Sequence, residues 1–336
     1  MPGDEASTPA LTAPADPADP ATAAAVAAAG AGPPAPLARA EQFIWLTARV
    51  LEQRRFAFHF LGGDADPVDA ALGAYLGGDG GYGHALDPDV RGPLSHPLHT
   101  VHALRVLDGL GRCSGRRIER LCGHLTRVST PEGALGVLSP GSGGYPAAPY
   151  HPPHDDPPGD LLTTGPVVGI LHRNRIWHAW LFRATDFCWD RVENLRDPHP
   201  YELQSAVAFL DGAPDRPRAA VAADRLGRLA RERRLVVLDP AHEEAYPSAP
   251  GYAPGERLHP YDLARRPESL ARGWFTDAEL RRSLHHLAGL QQPDGGWPVI
   301  RGAWAPGSAL ERRPIATLEA LLTLRAYGLL APWCCD

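Results

Sequence analysis

The stretch Leu290-Gln291-Gln292-Pro293-Asp294-Gly295-Gly296-Trp297 decides the fold of this chain. An amphipathic run, 276–290, precedes it and an apolar run, 314–329, follows beyond a loop, so it lies in a turn between two helices. Pro-Asp-Gly-Gly ends a helix, and glycine takes positive φ without steric penalty. Gln291 and Trp297 add what a plain turn does not need: an amide for free backbone groups and a large ring to stack on it. A similar arrangement recurs at 75–83, YLGGDGGYG, ahead of a helical run at 98–111. A repeated helix, Gly-rich loop, helix unit marks an array whose units stack on one another.

Working outward, apolar and Arg-decorated helical runs alternate. The apolar runs are 98–111, 161–172 and 200–211; the decorated ones are 116–128, 178–195 and 215–233. The chain also reads as helical over 38–60, over a short segment that opens at Asp66-Pro67 and ends near Leu76, and over 262–273, with a β-type run at 235–238. The Gly/Pro loop 132–158 sits where a repeat loop is expected but lacks the Gln and Trp, so it reads as a degenerate copy. These signals predict an all-α protein of about ten helices over residues 37–336, and periodicity alone leaves a closed α/α toroid and an open solenoid both open.

Composition sets bounds. Residues 1–36 are nearly all Ala, Pro, Asp, Thr and Gly and are expected to be disordered, because they cannot bury enough surface to offset ordering. Acidic residues and no Arg precede the Ala-rich piece 21–31, which speaks against a secretory signal. No apolar run reaches the roughly 18–20 residues of a membrane span. The net charge of −6 and the scattered arginines argue against nucleic acid as the main partner. There is no lysine, hence no Schiff-base former. Five cysteines without a paired framework fit a reducing cytoplasm.

Gln291, Gly295 and Trp297 match the Q-x(3)-G-x-W spacing of the QW repeat. On that motif the chain resembles class II terpene cyclases and protein prenyltransferase β-subunits. The runs DGGYGHALDPDVRGP (79–93), LLTTGPVVGILH (161–172) and ATDFCWDRVE (184–193) look like a mainly actinobacterial branch of prenyltransferase/squalene oxidase repeat proteins. The resemblance implies hairpins closed into a ring, with an axial apolar pocket for an isoprenoid and inner-helix N-termini at its rim, a setting that suits diphosphate.

Class II cyclases carry a D-x-D-D-T acid motif before an inner helix; its protonated Asp donates to an alkene and aromatic rings stabilise the cation. Here the slot reads His96-Pro97-Leu98-His99-Thr100, Leu161-Leu162-Thr163-Thr164-Gly165, Pro198-His199-Pro200-Tyr201-Glu202 and Arg313-Pro314-Ile315-Ala316-Thr317. None carries the motif. Two acidic clusters are the candidates to replace it. Asp87 and Asp89 either share a proton, which raises one pKa, or form an Asp-Pro turn with Asp89 held by Arg91. Asp197 and Glu202 open an inner helix and either face the rim or cap the helix. His96, His99, His199 and Tyr201 are the candidate substrate contacts, with His96 and His99 also open to plain packing.

No metal is assigned. Asp186-Phe187-Cys188 has the letters of the prenyltransferase zinc pair but falls on an outer-type helix, and 314–329 has no His. The loop His151-Pro152-Pro153-His154-Asp155-Asp156 has ligand residue types without a second cluster. Mg²⁺ enters only if the ligand is a diphosphate. The expected function is therefore an isoprenoid cyclase-like or transferase-like enzyme with a non-standard acid. A non-catalytic lipid- or peptide-binding toroid and a carbohydrate-active α/α barrel are the alternatives.

Overall fold

A computed structural model describes residues 35–300 and 302–330. The described residues form twelve α-helices, joined by loops and three short 3₁₀ turns, with no strand. In order they are α1 (Pro36–Thr47), α2 (Val50–Phe60), α3 (Ala65–Gly73), α4 (Pro97–Gly109), α5 (Gly115–Val128) and α6 (Leu161–Arg173), then α7 (Ala179–Asn194), α8 (Pro200–Gly212), α9 (Arg216–Glu232), α10 (Pro260–Leu263), α11 (Asp277–Gly289) and α12 (Pro306–Ala326). The all-α expectation holds. The tail expected over 1–36 lies outside the described residues up to position 34, and Pro36 already opens α1.

Local chemistry sets the helix starts. α1, α4, α8, α9, α10 and α12 carry proline in the first two positions, where no helical N–H is lost. Asp160, His199, Asp215 and Thr276 cap their helices through the side chain. Even- and odd-numbered helices divide the labour. On α9 the arginines face out while Ala219, Ala223, Leu226 and Ala230 are buried. On α6 every residue from Thr163 to Leu171 is buried. It packs against α8 through glycines: a Cβ on Gly169 would fall 2.1 Å from the Ala208 carbonyl oxygen, and one on Gly212 1.9 Å from that of Gly169. Pro166 cannot donate to the Leu162 carbonyl, and the Ser205 hydroxyl of α8 donates to it instead at 3.3 Å.

Three expectations change. The run 38–60 is two helices, because Ala48 and Arg49 are extended. The Arg49 guanidinium is drawn away to Glu52 at 2.9 Å and to the Ala85 and Leu86 carbonyls. The helix at 262–273 is the four-residue α10 followed by a 3₁₀ turn at Leu270–Trp274, since Pro267 interrupts it. The segment 235–238 forms no strand; Val237 donates to the Leu258 carbonyl at 2.8 Å.

The Gly-rich turn recurs three times with one bonding pattern. In 292–297 the N–H of Gln292 donates to Gly296 and that of Gly295 to Gln292, both at 2.9 Å. In 77–82 Gly77 donates to Gly81 at 2.8 Å and Gly80 to Gly77 at 3.1 Å; in 130–135 Thr130 donates to Ala134 and Gly133 to Thr130, both at 2.9 Å. The third-bonded glycine has positive φ each time: +89° at Gly80, +85° at Gly133 and +92° at Gly295. Each lies hard against an odd-numbered helix, Gly80 on Arg120 of α5, Gly133 on Ala184 of α7 and Gly295 on Arg39 of α1. The 292–297 turn thus meets α1 as the other two turns meet α5 and α7. Gln291 strengthens that joint, donating to Pro36 O at 2.7 Å and accepting from Arg39 at 2.6 Å. Trp297 is buried and donates to Leu287 O at 2.7 Å.

Candidate functional site

A cavity of about 1550 Å³ is lined by all six even-numbered helices and by none of the odd-numbered ones. The loops 137–160 and 250–256 complete its wall. Leu98, Val101, Ile170, Val207 and Leu322 supply apolar surface, yet every even helix also carries a charged residue to it. Among the described lining residues Phe58 is the only hydrocarbon aromatic, the others being Tyr150, Tyr201 and Tyr252. The described wall is thus richer in phenol rings, which also carry a hydrogen-bonding hydroxyl, than in purely apolar ones.

Asp87 and Asp89 reach this wall on a constrained loop. His84 and Ala85 both have left-handed φ, 55° and 57°, a conformation that costs a non-glycine residue about 1–2 kcal/mol. The Arg49 bonds to the Ala85 and Leu86 carbonyls hold it there, and Arg49 is itself clamped by the buried Glu52. Arg312 of α12 then bridges the two carboxylates, 3.2 Å from Asp87 and 2.5 Å from Asp89. Tyr150 donates to Asp89 at 2.9 Å, and the Asp89 N–H donates to Asp87 at 3.0 Å. Burial alone would raise the Asp87 carboxyl, but the His102 imidazole and the Arg312 guanidinium outweigh it and hold it far below the usual carboxylate range. Asp87 is therefore held as an ionised anchor, which favours the turn reading over the shared proton, with Arg312 in the place expected of Arg91. Arg91 turns instead to Glu311 at 2.8 Å.

Asp160 is the opposite case. It caps α6, accepting the Thr163 N–H at 2.8 Å, and faces the cavity without a guanidinium partner among the described residues. Burial pushes its carboxyl up to about 6, and the backbone bonds of the cap offset only part of this. Asp211, at the far end of α8, is also raised by burial. Glu319 lies among Arg55 and Arg265, 3.2 and 2.9 Å away, and those arginines outweigh its burial and bring it down to about 2.

The other expected site residues divide. His199 and Tyr201 line the cavity with Tyr252, ring centroids 5.0–5.4 Å apart, and the Tyr201 hydroxyl donates to Glu256. Glu202 is used by the cap of α8, accepting the His199 N–H at 2.9 Å, and is not among the lining residues. Asp197 is 81% exposed and paired with Arg233, outside the cavity. His96 and His99 are buried behind the wall, where their Nδ1 atoms accept the N–H groups of Ser139 and Asp87. They act as hydrogen-bonded packing that positions the Asp87 loop.

The sequence reading missed Asp160, Arg312 and Glu319. The first stands one residue before the slot tested at α6. The other two were out of phase because α12 begins at Pro306, so Pro314 is inside it and not at its start. Asp186 and Cys188 lie on α7, with Cys188 a buried free thiol.

No family model and no curated protein matches the chain. A crystal structure described as a protein from Actinoplanes is similar, with a TM-score of 0.51 over 87% of this chain and 89% of that one, at 16% identity. At that identity the likeness concerns the fold alone.

Proposed function

We propose that the chain is a closed α/α toroid of six hairpins whose axial cavity takes a polar, hydroxyl-bearing ligand of carbohydrate type and acts on it by acid–base chemistry. The ring reading is supported by the last turn docking on α1 as the earlier turns dock on α5 and α7, and by the even helices sharing one cavity. The observation that carries the function is the Asp160 carboxyl, pushed up to about 6 in a cavity that also holds the ionised Asp87, bridged to Asp89 by Arg312. Two carboxyl environments driven apart in this way separate an acid from a permanent anion. In this reading Asp160 protonates the leaving glycosidic oxygen as its C–O bond breaks, and water adds to the carbon and returns a proton to the Asp160 carboxylate. Tyr201, Tyr252 and His199 offer rings and hydrogen bonds to a sugar face.

A prenyl diphosphate is the second reading, favoured by the Gln291-to-Trp297 motif and by Arg55, Arg105 and Arg265 on one side of the wall. The arginines would meet the diphosphate, with Mg²⁺ on nearby carboxylates, and Leu98, Val101, Ile170 and Leu322 the chain. Isoprenoid cyclisation there would again fall to Asp160 as the acid.

The test assays the full chain against a panel of oligosaccharides, by release of reducing ends, and against prenyl diphosphates with Mg²⁺. Turnover of a sugar that Asp160→Asn lowers at least about 10²-fold, with an unchanged circular dichroism spectrum, is the expected result. Turnover of the prenyl substrate alone supports the second reading. Ligand retained in a native mass spectrum without turnover supports a binding protein, and activity that survives Asp160→Asn removes the assigned acid.

A further inference from the structure

Outside the cavity, three ligand-type side chains from separate segments converge. Glu243 lies in the 3₁₀ turn Pro240–Ala245, His259 is the N-cap of α10, and His286 is in the last turn of α11. One carboxylate oxygen and two imidazole nitrogens all lie within 4.8 Å of one another. The Glu243 oxygen is 3.4 Å from His286 Nε2 and 3.7 Å from His259 Nε2. The longer of these exceeds a hydrogen bond. Both approach the separation of two ligands on one tetrahedral ion, since atoms about 2.1 Å from zinc stand roughly 3.4 Å apart.

Packing holds the rings in place. His259 stacks on Tyr261 at 5.0 Å and 7°, and on His286 at 4.8 Å and 22°. Its N–H donates to Asp262 at 2.8 Å, which fixes the backbone beneath it. Two nitrogens and one oxygen suit a borderline d-block cation better than Mg²⁺ or Ca²⁺. Three protein ligands leave a fourth position to water.

We propose that Glu243, His259 and His286 form a site for one divalent cation of the zinc class, and that the ion clasps the loop 244–258 at both ends and ties it to α11. Glu243 stands immediately before that loop and His259 immediately after it. The loop carries Tyr252 and Glu256 to the cavity wall, so the ion would stiffen one side of the cavity from behind. The site does not depend on which ligand the cavity takes.

The full chain, stripped with EDTA and returned to chelator-free buffer, is titrated with ZnCl₂ by calorimetry. One equivalent is expected to bind with Kd near or below about 1 μM, with Mg²⁺ at least about 100-fold weaker. Glu243→Gln and His286→Ala stand at half-exposed positions that tolerate replacement, and each is expected to weaken binding at least about tenfold. A variant lacking the other clustered donors (His151→Ala, His154→Ala, Cys334→Ser and Cys335→Ser) is expected to bind as the parent does. Zinc is expected to slow proteolysis within 244–258 in the parent and not in His286→Ala. Absence of binding, equal binding by His286→Ala and Glu243→Gln, or loss of binding only with Cys334 and Cys335 overturns the site. Binding without protection of the loop overturns the clasp.

Discussion

Two corners of one cavity hold carboxylates of opposite character. At the Asp87 corner, Arg312, His102 and a backbone N–H converge on the charge, and the group stays ionised. At the Asp160 corner no guanidinium pairs with the carboxyl among the described residues; burial dominates, and the bonds of the helix cap offset only part of it. The difference lies in partners more than in depth. It teaches that an acid must be looked for where a buried carboxylate lacks a cation, whatever acidic motif surrounds it.

The largest expected effect comes from removing the cation. Arg312→Ala leaves Asp87 and Asp89 facing each other without their bridge and is expected to destabilise the fold by roughly 3 kcal/mol in urea unfolding. A loss under about 1 kcal/mol would show that solvent in the cavity already screens the pair.

The pH dependence comes next, with opposite signs at the two corners. Asp87 has a depressed folded pKa, so its contribution is present above the unfolded value near 4 and is lost as pH falls below it. Asp160 has a raised folded pKa, so the folded state holds the extra proton between about 4 and 6, and stability declines as pH rises through that window. Asp160→Asn keeps a capping side chain and removes the charge. It is expected to flatten this decline and to raise stability at pH 7 by about 1–3 kcal/mol, read from urea midpoints at pH 4 and pH 7. A slope equal to the parent's would place the titrating group elsewhere.

Smaller effects sharpen the contrast. Tyr150→Phe removes one donor to Asp89 and is expected to cost about 0.5–1 kcal/mol in the same measurement. Asp197→Asn marks the bottom of the scale. Its side chain is exposed and away from the cavity, so melting temperature and any turnover are expected to match the parent.

Much of this architecture was legible in the chain. Leu290–Trp297 and 75–83 announced a repeated turn because positive φ demands glycine, and a missing Cβ is visible in a sequence. The copy at 130–135, written Thr-Pro-Glu-Gly-Ala-Leu, keeps the one glycine the geometry requires and dispenses with Gln and Trp. Alternating helix polarity marked the helices that line the cavity and those that do not, since water selects the outer residues.

The sequence by itself therefore determined most of the helices, their alternation and the Gly-rich turns, which rest on local sterics and periodicity, while the break at Ala48-Arg49, the shortness of α10 and the start of α12 escaped it. Tertiary structure alone decided the chemistry. Arg312 is 225 residues from Asp87 in the chain, and only their meeting makes that aspartate an anion and not an acid. Asp160 carries no signature beyond a helix cap, and its raised pKa comes from what the fold leaves out around it. Gln291 bonds across 252 residues to Arg39, so even the Q-x(3)-G-x-W motif finds its partner only once α1 packs beside it. Charge and desolvation act through space, and a sequence records only neighbours along the chain.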